Sequence, residues 1–248
     1  MERAPGTRPY WLTAFLDLPA RVFDPATDFW SAVTGFPRSA VRGSDGEFAT
    51  LRPPQGAEYV KVQRIGGAPR IHLDVHVRDV PATATLAAGL GARVAADPGS
   101  GYLVLTSPGG FVFCLVGHAA GETPPPATWP GGHRSRVDQV ALDLPRDVHD
   151  LEAEFWSALL DEPVRALSGD EFSAIDRRPE FALRVLLHRL DEPFGRTRAH
   201  LDLATDDVPA EVARHVALGA RHVADHDGWT VLRDPAGLAY CVTGRDPA

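Results

Sequence analysis

Apolar and polar residues alternate from Leu12 to Leu18 and the run stops at Pro19, which predicts a strand and its end. Asp24 and Pro25 then predict a helix, capped at Asp24 with proline in the first helical position, running through Phe29, Trp30 and Val33 to Gly35. Glu47–Leu51 and Glu58–Arg64 have strand composition, with room for one more short strand near Pro37–Arg42. The order then restarts. Arg70–Arg78 alternates, Val80–Leu90 is helical and closed by Gly91, and Arg93–Ala96, Tyr102–Thr106 and Phe111–Val116 predict three strands, the last two joined by a Ser107–Gly110 turn.

The second half of the chain follows the same plan. Strands are predicted over Val137–Leu144, Glu171–Ile175, Phe181–Leu190, Ala199–Thr205, Arg221–Ala224, Trp229–Arg233 and Ala239–Val242, with helices over Val148–Leu160 and Val208–Leu218. Unlike residue types recur in the same order. Phe29-Trp30-Ser31-Ala32 returns as Phe155-Trp156-Ser157-Ala158, His72-Leu73-Asp74 as His200-Leu201-Asp202, and Cys114 as Cys241. A nearly constant offset across unlike residues marks a duplicated domain, far longer than the roughly 20–50-residue unit of a solenoid. We place the copies at residues 10–117 and 137–244, joined by a Pro/Gly-rich linker over 118–136, whose three consecutive prolines and glycine pair leave little room for regular structure.

Composition narrows the function classes. A net charge of −8 argues against nucleic acid or an anionic membrane as partner, since both select clustered positive charge. Residues 1–9 lack the apolar core of a signal peptide and no apolar run approaches ~18 residues, so a cytoplasmic protein without a membrane span is expected. Cys114 and Cys241 occupy equivalent positions, which favours two separate thiols over a disulfide. There is no glycine-rich nucleotide loop between a strand and a helix and no G-x-S-x-G elbow.

The opening strand Asp138–Asp143, the helix carrying Phe155-Trp156, the strand Arg198-Ala199-His200-Leu201-Asp202-Leu203, then Leu218-Gly219-Ala220-Arg221 and Asp234-Pro235-Ala236-Gly237, resemble the vicinal oxygen chelate superfamily. That group includes glyoxalase I, bleomycin-resistance proteins and extradiol dioxygenases, and the chain is most similar to its glyoxalase-like domains. The resemblance covers nearly the whole chain, twice. It implies an α+β fold of two tandem domains, each of two βαβββ modules with curved mixed sheets forming concave clefts. It also implies a divalent metal held by residues on the first strand, the second module's first strand and the last strand of a domain, the last of them a glutamate. The matching positions here are Gln139, His200 and Cys241 in the second copy and Thr13, His72 and Cys114 in the first. Both copies lack the glutamate.

His72, Asp74 and His76 share one face of their strand, and His200 and Asp202 repeat the pattern. His72 and His76 stand about 13 Å apart on a strand, so they cannot share one metal. The expected ligand-contacting set is His72, Asp74, His76, Cys114, Gln139, His200, Asp202, Trp229 and Cys241, with Trp229 and Tyr102 as aromatic walls. Because the glutamate is missing, the leading expectation is metal-free binding of a small organic molecule, aromatic in character, with no cofactor. The alternative is a lyase, isomerase or dioxygenase with a divalent metal on Gln139 and His200, and with His200 or Asp202 as acid–base group. A Cys241–His200 nucleophilic pair and a noncatalytic regulatory or assembly module complete the readings. Trp30 and Trp156 are expected in the core, and Asp17 and Asp143 as caps of the turns after their strands.

Overall fold

The computed structural model describes residues 3–167 and 169–247. In the first copy the elements are β1 (Trp11–Pro19), α1 (Phe23–Thr34), β2 (Phe48–Leu51), β3 (Val60–Ile65), β4 (Arg70–His76), α2 (Val80–Gly89), β5 (Arg93–Ala96), β6 (Tyr102–Thr106) and β7 (Val112–Val116). The second copy has β9 (Arg134–Leu144), α3 (His149–Leu160), β10 (Val164–Ala166), β11 (Phe172–Ile175), β12 (Arg184–Arg189), β13 (Arg198–Thr205), α4 (Val208–Ala217), β14 (Arg221–His226), β15 (Trp229–Arg233) and β16 (Ala239–Gly244). A two-residue strand, β8 (Ala127–Thr128), precedes it. One sheet has the order β2-β3-β1-β4-β7-β6-β5 and the other β10-β11-β12-β9-β13-β16-β15-β14, with β8 beside β9. Both are mixed: β4 runs parallel to β7 and β13 parallel to β16, while the flanking hairpins are antiparallel.

Several local expectations are corrected. Asp24 is not the cap of α1; a 3-10 turn over Ala20–Val22 leads in, Val22 is the capping residue, and Asp24 lies in the first helical turn, where its charge still suits the helix dipole. The linker carries β8, which pairs Ala127 with Ser135 and Thr128 with Arg134, so β9 starts three residues before Val137. Pro37–Arg42 makes only two isolated bridges, Arg38 to Leu51 and Arg42 to Phe48. Strand β10 was not expected; its residues are exposed, so it has no buried face to create an apolar rhythm. Asp17 and Asp143 are not caps either, since Asp17 pairs with Arg70 at 2.7 Å and Asp143 with His188 at 2.8 Å.

The expected helix ends of the later modules do hold. Asp79 and Asp207 each accept a hydrogen bond from the backbone N–H three residues on, at 2.9 and 3.0 Å, and each is followed by proline in the first turn. Asp79→Ala and Asp207→Ala are each expected to cost about 1 kcal/mol by urea denaturation.

Contacts group the chain into two compact units. One takes His72–Ala120 and Ala141–Ala199 with the stretch up to Ala14; the other takes Phe15–Ile71, Gly121–Val140 and the residues from His200 onward. Each unit therefore combines one module from each sequence repeat. In the first, α3 buries Phe155 and Trp156 against Phe113, with ring centroids 5.7 and 5.3 Å apart. In the second, α1 buries Phe29 and Trp30 against Tyr240, at 6.1 and 5.1 Å. The equivalent tryptophans thus do equivalent work.

Each Trp indole also donates to a buried carboxylate, but the two carboxylates come from different places. Trp30 Nε1 bonds Asp234 in the turn before β16, and Trp156 Nε1 bonds Glu152 one helical turn earlier, both at 2.8 Å. The repeat places Ser107 where the second copy has Asp234, and Ala26 where it has Glu152. Moving the carboxylate from turn to helix preserves one acceptor for each indole.

Candidate functional site

The parallel register of β13 and β16 sets Asp202 directly beside Cys241, and the two-residue period of β13 puts His200 on the same face. The donor atoms of His200, Asp202 and Cys241 all lie within 4.8 Å of one another. The first copy repeats the arrangement: Asp74 faces Cys114 across β4 and β7, and His72, Asp74 and Cys114 form a second cluster within the same limit. His200 Nε2 is 3.3 Å from Asp202 Oδ1, and His72 Nε2 is 3.7 Å from Asp74 Oδ1.

The second copy's cluster, on β13 and β16, has a distinctive electrostatic state. Gln139 Nε2 donates to Asp202 Oδ2 at 2.5 Å, which fixes the carboxylate plane. Asp202 Oδ1 is buried and has no hydrogen-bond partner, and His200 Nε2 stands close without completing one. A buried acceptor left in this state is costly unless a donor or cation meets it. Burial pushes the Cys241 thiol up, against the opposing hydrogen bond from His200.

Donor chemistry fits a divalent cation. Imidazole nitrogen, carboxylate oxygen and thiol sulfur suit zinc and neighbouring transition metals better than magnesium or calcium. Reading the last strand for a glutamate led to Cys241, and the carboxylate that lies in the cluster is Asp202, two residues beyond His200. The signal was the His-x-Asp spacing on a strand, which puts both side chains on one face.

The other expected residues are placed as follows. His76 accepts or donates at Thr13 Oγ1, 2.9 Å away, and lies outside the first cluster. Gln139 stands beside the donor group and its amide Nε2 donates to Asp202 Oδ2. Trp229 is half-buried, pairs with Thr243 two positions beyond Cys241, and stacks on His226 at 4.7 Å. Tyr102 is also half-buried, on β6. One arrangement was not anticipated: His188 bridges Asp143 and Glu171 and stacks on Phe172 at 4.8 Å, beside a polar cavity of about 520 Å³ that Arg146, Glu171, His188 and Asp191 help to line. The alternation of β12 carries His188, but its partners lie on other strands and no local spacing announces them.

A duplicated, mixed-sheet α+β fold with a polar cluster on β4/β7 and again on β13/β16 defines a tandem protein of the vicinal oxygen chelate class. The glyoxalase-like domain model matches residues 13–116 and again 139–243, and the chain belongs to that family. No curated protein sequence matches it. Among solved structures it is similar to a mutant of 4-hydroxymandelate synthase from Streptomyces coelicolor, at 20% identity and TM-score 0.63 over 98% of this chain and 94% of that one. It is also similar to the Mn(II)-bound glyoxalase from Novosphingobium aromaticivorans, at 18% identity and TM-score 0.62 over 96% of this chain and 82% of that one. A third is the anaerobic substrate complex of homoprotocatechuate 2,3-dioxygenase from Brevibacterium fuscum with 3,4-dihydroxyphenylacetate, at 14% identity and TM-score 0.64 over 99% and 84%. Among the described residues no helix is long and apolar enough to cross a membrane.

Proposed function

We propose that the protein binds a small, oxygen-bearing aromatic molecule at the second copy's cluster, with a divalent cation held by His200, Asp202 and Cys241. The observation that carries this reading is Asp202 Oδ1, a buried acceptor without a partner beside an imidazole nitrogen and a thiol. The expected metal-free binder rested on the missing glutamate, and Asp202 supplies a carboxylate in its place. A bound divalent ion would act as a Lewis acid toward a ligand oxygen. Gln139 holds Asp202 in one orientation, and His200, the most accessible member of the cluster, is the group a ligand reaches first. The class of ligand is supported by the similar structures, among them a dioxygenase complex with 3,4-dihydroxyphenylacetate.

In the metal-free form of this reading, a ligand hydroxyl donates directly to Asp202 Oδ1. Thermal-shift measurements on chelator-treated protein, with catechols, phenols and hydroxy acids in the presence and absence of zinc or manganese, separate the two. Ligand at 100 times its Kd stabilises the native state by about 2.7 kcal/mol. We expect stabilisation by a vicinal diol only with metal, and its loss in Asp202→Ala and His200→Ala. Equal stabilisation without metal would select the metal-free form. Silence across the panel under both conditions would remove the binding reading.

A further inference from the structure

We infer that the polar cavity beside His188 is a binding site for a small carboxylate, which enters by taking the place of the Glu171 side chain on the imidazole. The inference goes beyond the reading of the second copy's cluster and uses none of its residues; every group it needs lies within Ala141–Ala199 of one compact unit. His188 Nδ1 is 2.8 Å from Asp143 and Nε2 is 3.2 Å from Glu171, so two carboxylates bracket one ring. They are unlike partners. The Asp143 side chain on β9 is 17% exposed, whereas that of Glu171, just before β11, is 58% exposed. Phe172 stacks on the ring at 4.8 Å, so Asp143 and Phe172 fix the imidazole while its Nε2 edge meets a long, exposed side chain. The cavity of about 520 Å³ lies at that edge: among the described residues His188 and Glu171 line it and Asp143 does not. An exposed ion pair contributes little and is readily replaced. A ligand carboxylate that displaces Glu171 puts one anion in place of another at Nε2, while the glutamate turns out into water. The cations of the wall are Arg146 and Arg189, Arg146 being held by Asp191 at 2.5 Å, and its remaining carboxylate is Asp170.

The first copy shows that the fold does not need this histidine. Arg64 N–H donates to the Glu47 carbonyl as Arg189 N–H does to that of Glu171, and Phe48 pairs with Gln63 as Phe172 pairs with His188. Glutamate, phenylalanine and arginine are thus kept in both copies, and glutamine stands where the second has the imidazole. Asp17, at the position of Asp143, bonds Arg70 instead. The same frame forms without a ring between two carboxylates, so His188 brings chemistry to the second copy that its backbone does not require.

The test is isothermal titration of benzoate into the chelator-treated full chain, with benzamide and inorganic phosphate at matched ionic strength as controls. Benzoate should bind the wild type, and about two- to five-fold more tightly in Glu171→Ala, where the internal competitor is gone. In His188→Gln, which carries the residue that the first copy tolerates, affinity should fall about ten-fold or more. Asp202→Ala should bind benzoate as the wild type does. Loss of binding in Asp202→Ala with retention in His188→Gln would place the carboxylate at the second copy's cluster and overturn the inference. Equal affinity in the wild type and Glu171→Ala would overturn the displacement, and benzamide or phosphate binding as tightly as benzoate would overturn the carboxylate assignment. No binding by the wild type or by Glu171→Ala would remove the site and leave the reading of the second copy's cluster intact. Should His188→Gln not fold, the comparison of the wild type with Glu171→Ala still decides.

Discussion

Glu211→Ala is expected to destabilise the protein by about 3–5 kcal/mol, because it removes the anion from a buried network and strands the Arg214 guanidinium. The carboxylate is fully buried on α4 and accepts from Ser135 Oγ at 2.5 Å, from Arg214 Nη2 and Nε at 2.7 and 2.8 Å, from His133 Nε2 at 2.9 Å and from His215 Nε2 at 3.0 Å. Arg214 in turn donates to the carbonyls of Ala32 and Val33 in the last turn of α1 and lies 3.5 Å over the Trp129 ring. One carboxylate therefore ties β9 and the segment before it, α4 and α1 together within their unit. Glu211→Gln keeps the shape and loses the charge, and should cost less, about 1–3 kcal/mol.

The pH dependence has a definite sign. Burial alone would raise the Glu211 carboxyl, but hydrogen bonds from Arg214 and His215 outweigh it and hold the group far below the usual carboxylate range. A depressed folded-state value means that the stabilisation is complete above the unfolded value of about 4.3 and is lost as pH falls below it. Urea midpoints at several pH values should thus show a wild-type advantage over Glu211→Gln that is constant above pH ~5 and shrinks in acid. His215 is also lowered, by burial against the pull of Glu211, so its stabilisation is present above about pH 6.5 and falls away on acidification. An alanine variant within about 1 kcal/mol of wild type would show that the network is dispensable.

The elements with a regular rhythm were legible from the chain. Leu12–Leu18 and Ile71–Val77 alternate in residue type although both faces of each strand are buried, and the helices begin at Val80 and Val208 as expected. The repeat exposed the module plan and both His-x-Asp pairs. The hidden parts were those set by partners distant in sequence. Nothing near Cys241 says that its neighbour across the ladder is Asp202; that follows from the parallel register of β13 and β16, which only the fold supplies. Likewise Asp143 reads as a cap until His188, 45 residues on, arrives beside it. The linker's prolines concealed β8 because a two-residue strand needs no pattern of its own when β9 offers the hydrogen bonds. Glu211 has no local signal for burial, and its hydrogen-bond partners Ser135 and His133 come from another segment.

Trp156→Ala should be comparably damaging, at about 3–5 kcal/mol, since it empties the centre of an aromatic cluster. The indole is fully buried, with the rings of Phe111, Phe113 and Phe155 at 5.8, 5.3 and 5.2 Å. Trp156→Phe isolates the hydrogen bond to Glu152 from most of the packing, and is expected to cost about 1–3 kcal/mol by leaving a buried acceptor short of a donor. Glu152 keeps the Gly109 N–H, as Asp234 keeps those of Ala236 and Leu238 when Trp30→Phe is made in the other unit. Burial raises both carboxyls despite these hydrogen bonds. A raised folded-state value means that stability is lost as pH rises through it, where the carboxylate must carry its charge in the interior. Removing the indole donor raises the value further, so the Trp156→Phe and Trp30→Phe penalties should each grow between pH 5 and pH 8 in urea denaturation. Penalties that are flat across that range would mean that the indoles stabilise by packing alone. Growth in one variant only would show that moving the carboxylate from turn to helix changed its chemistry as well as its position.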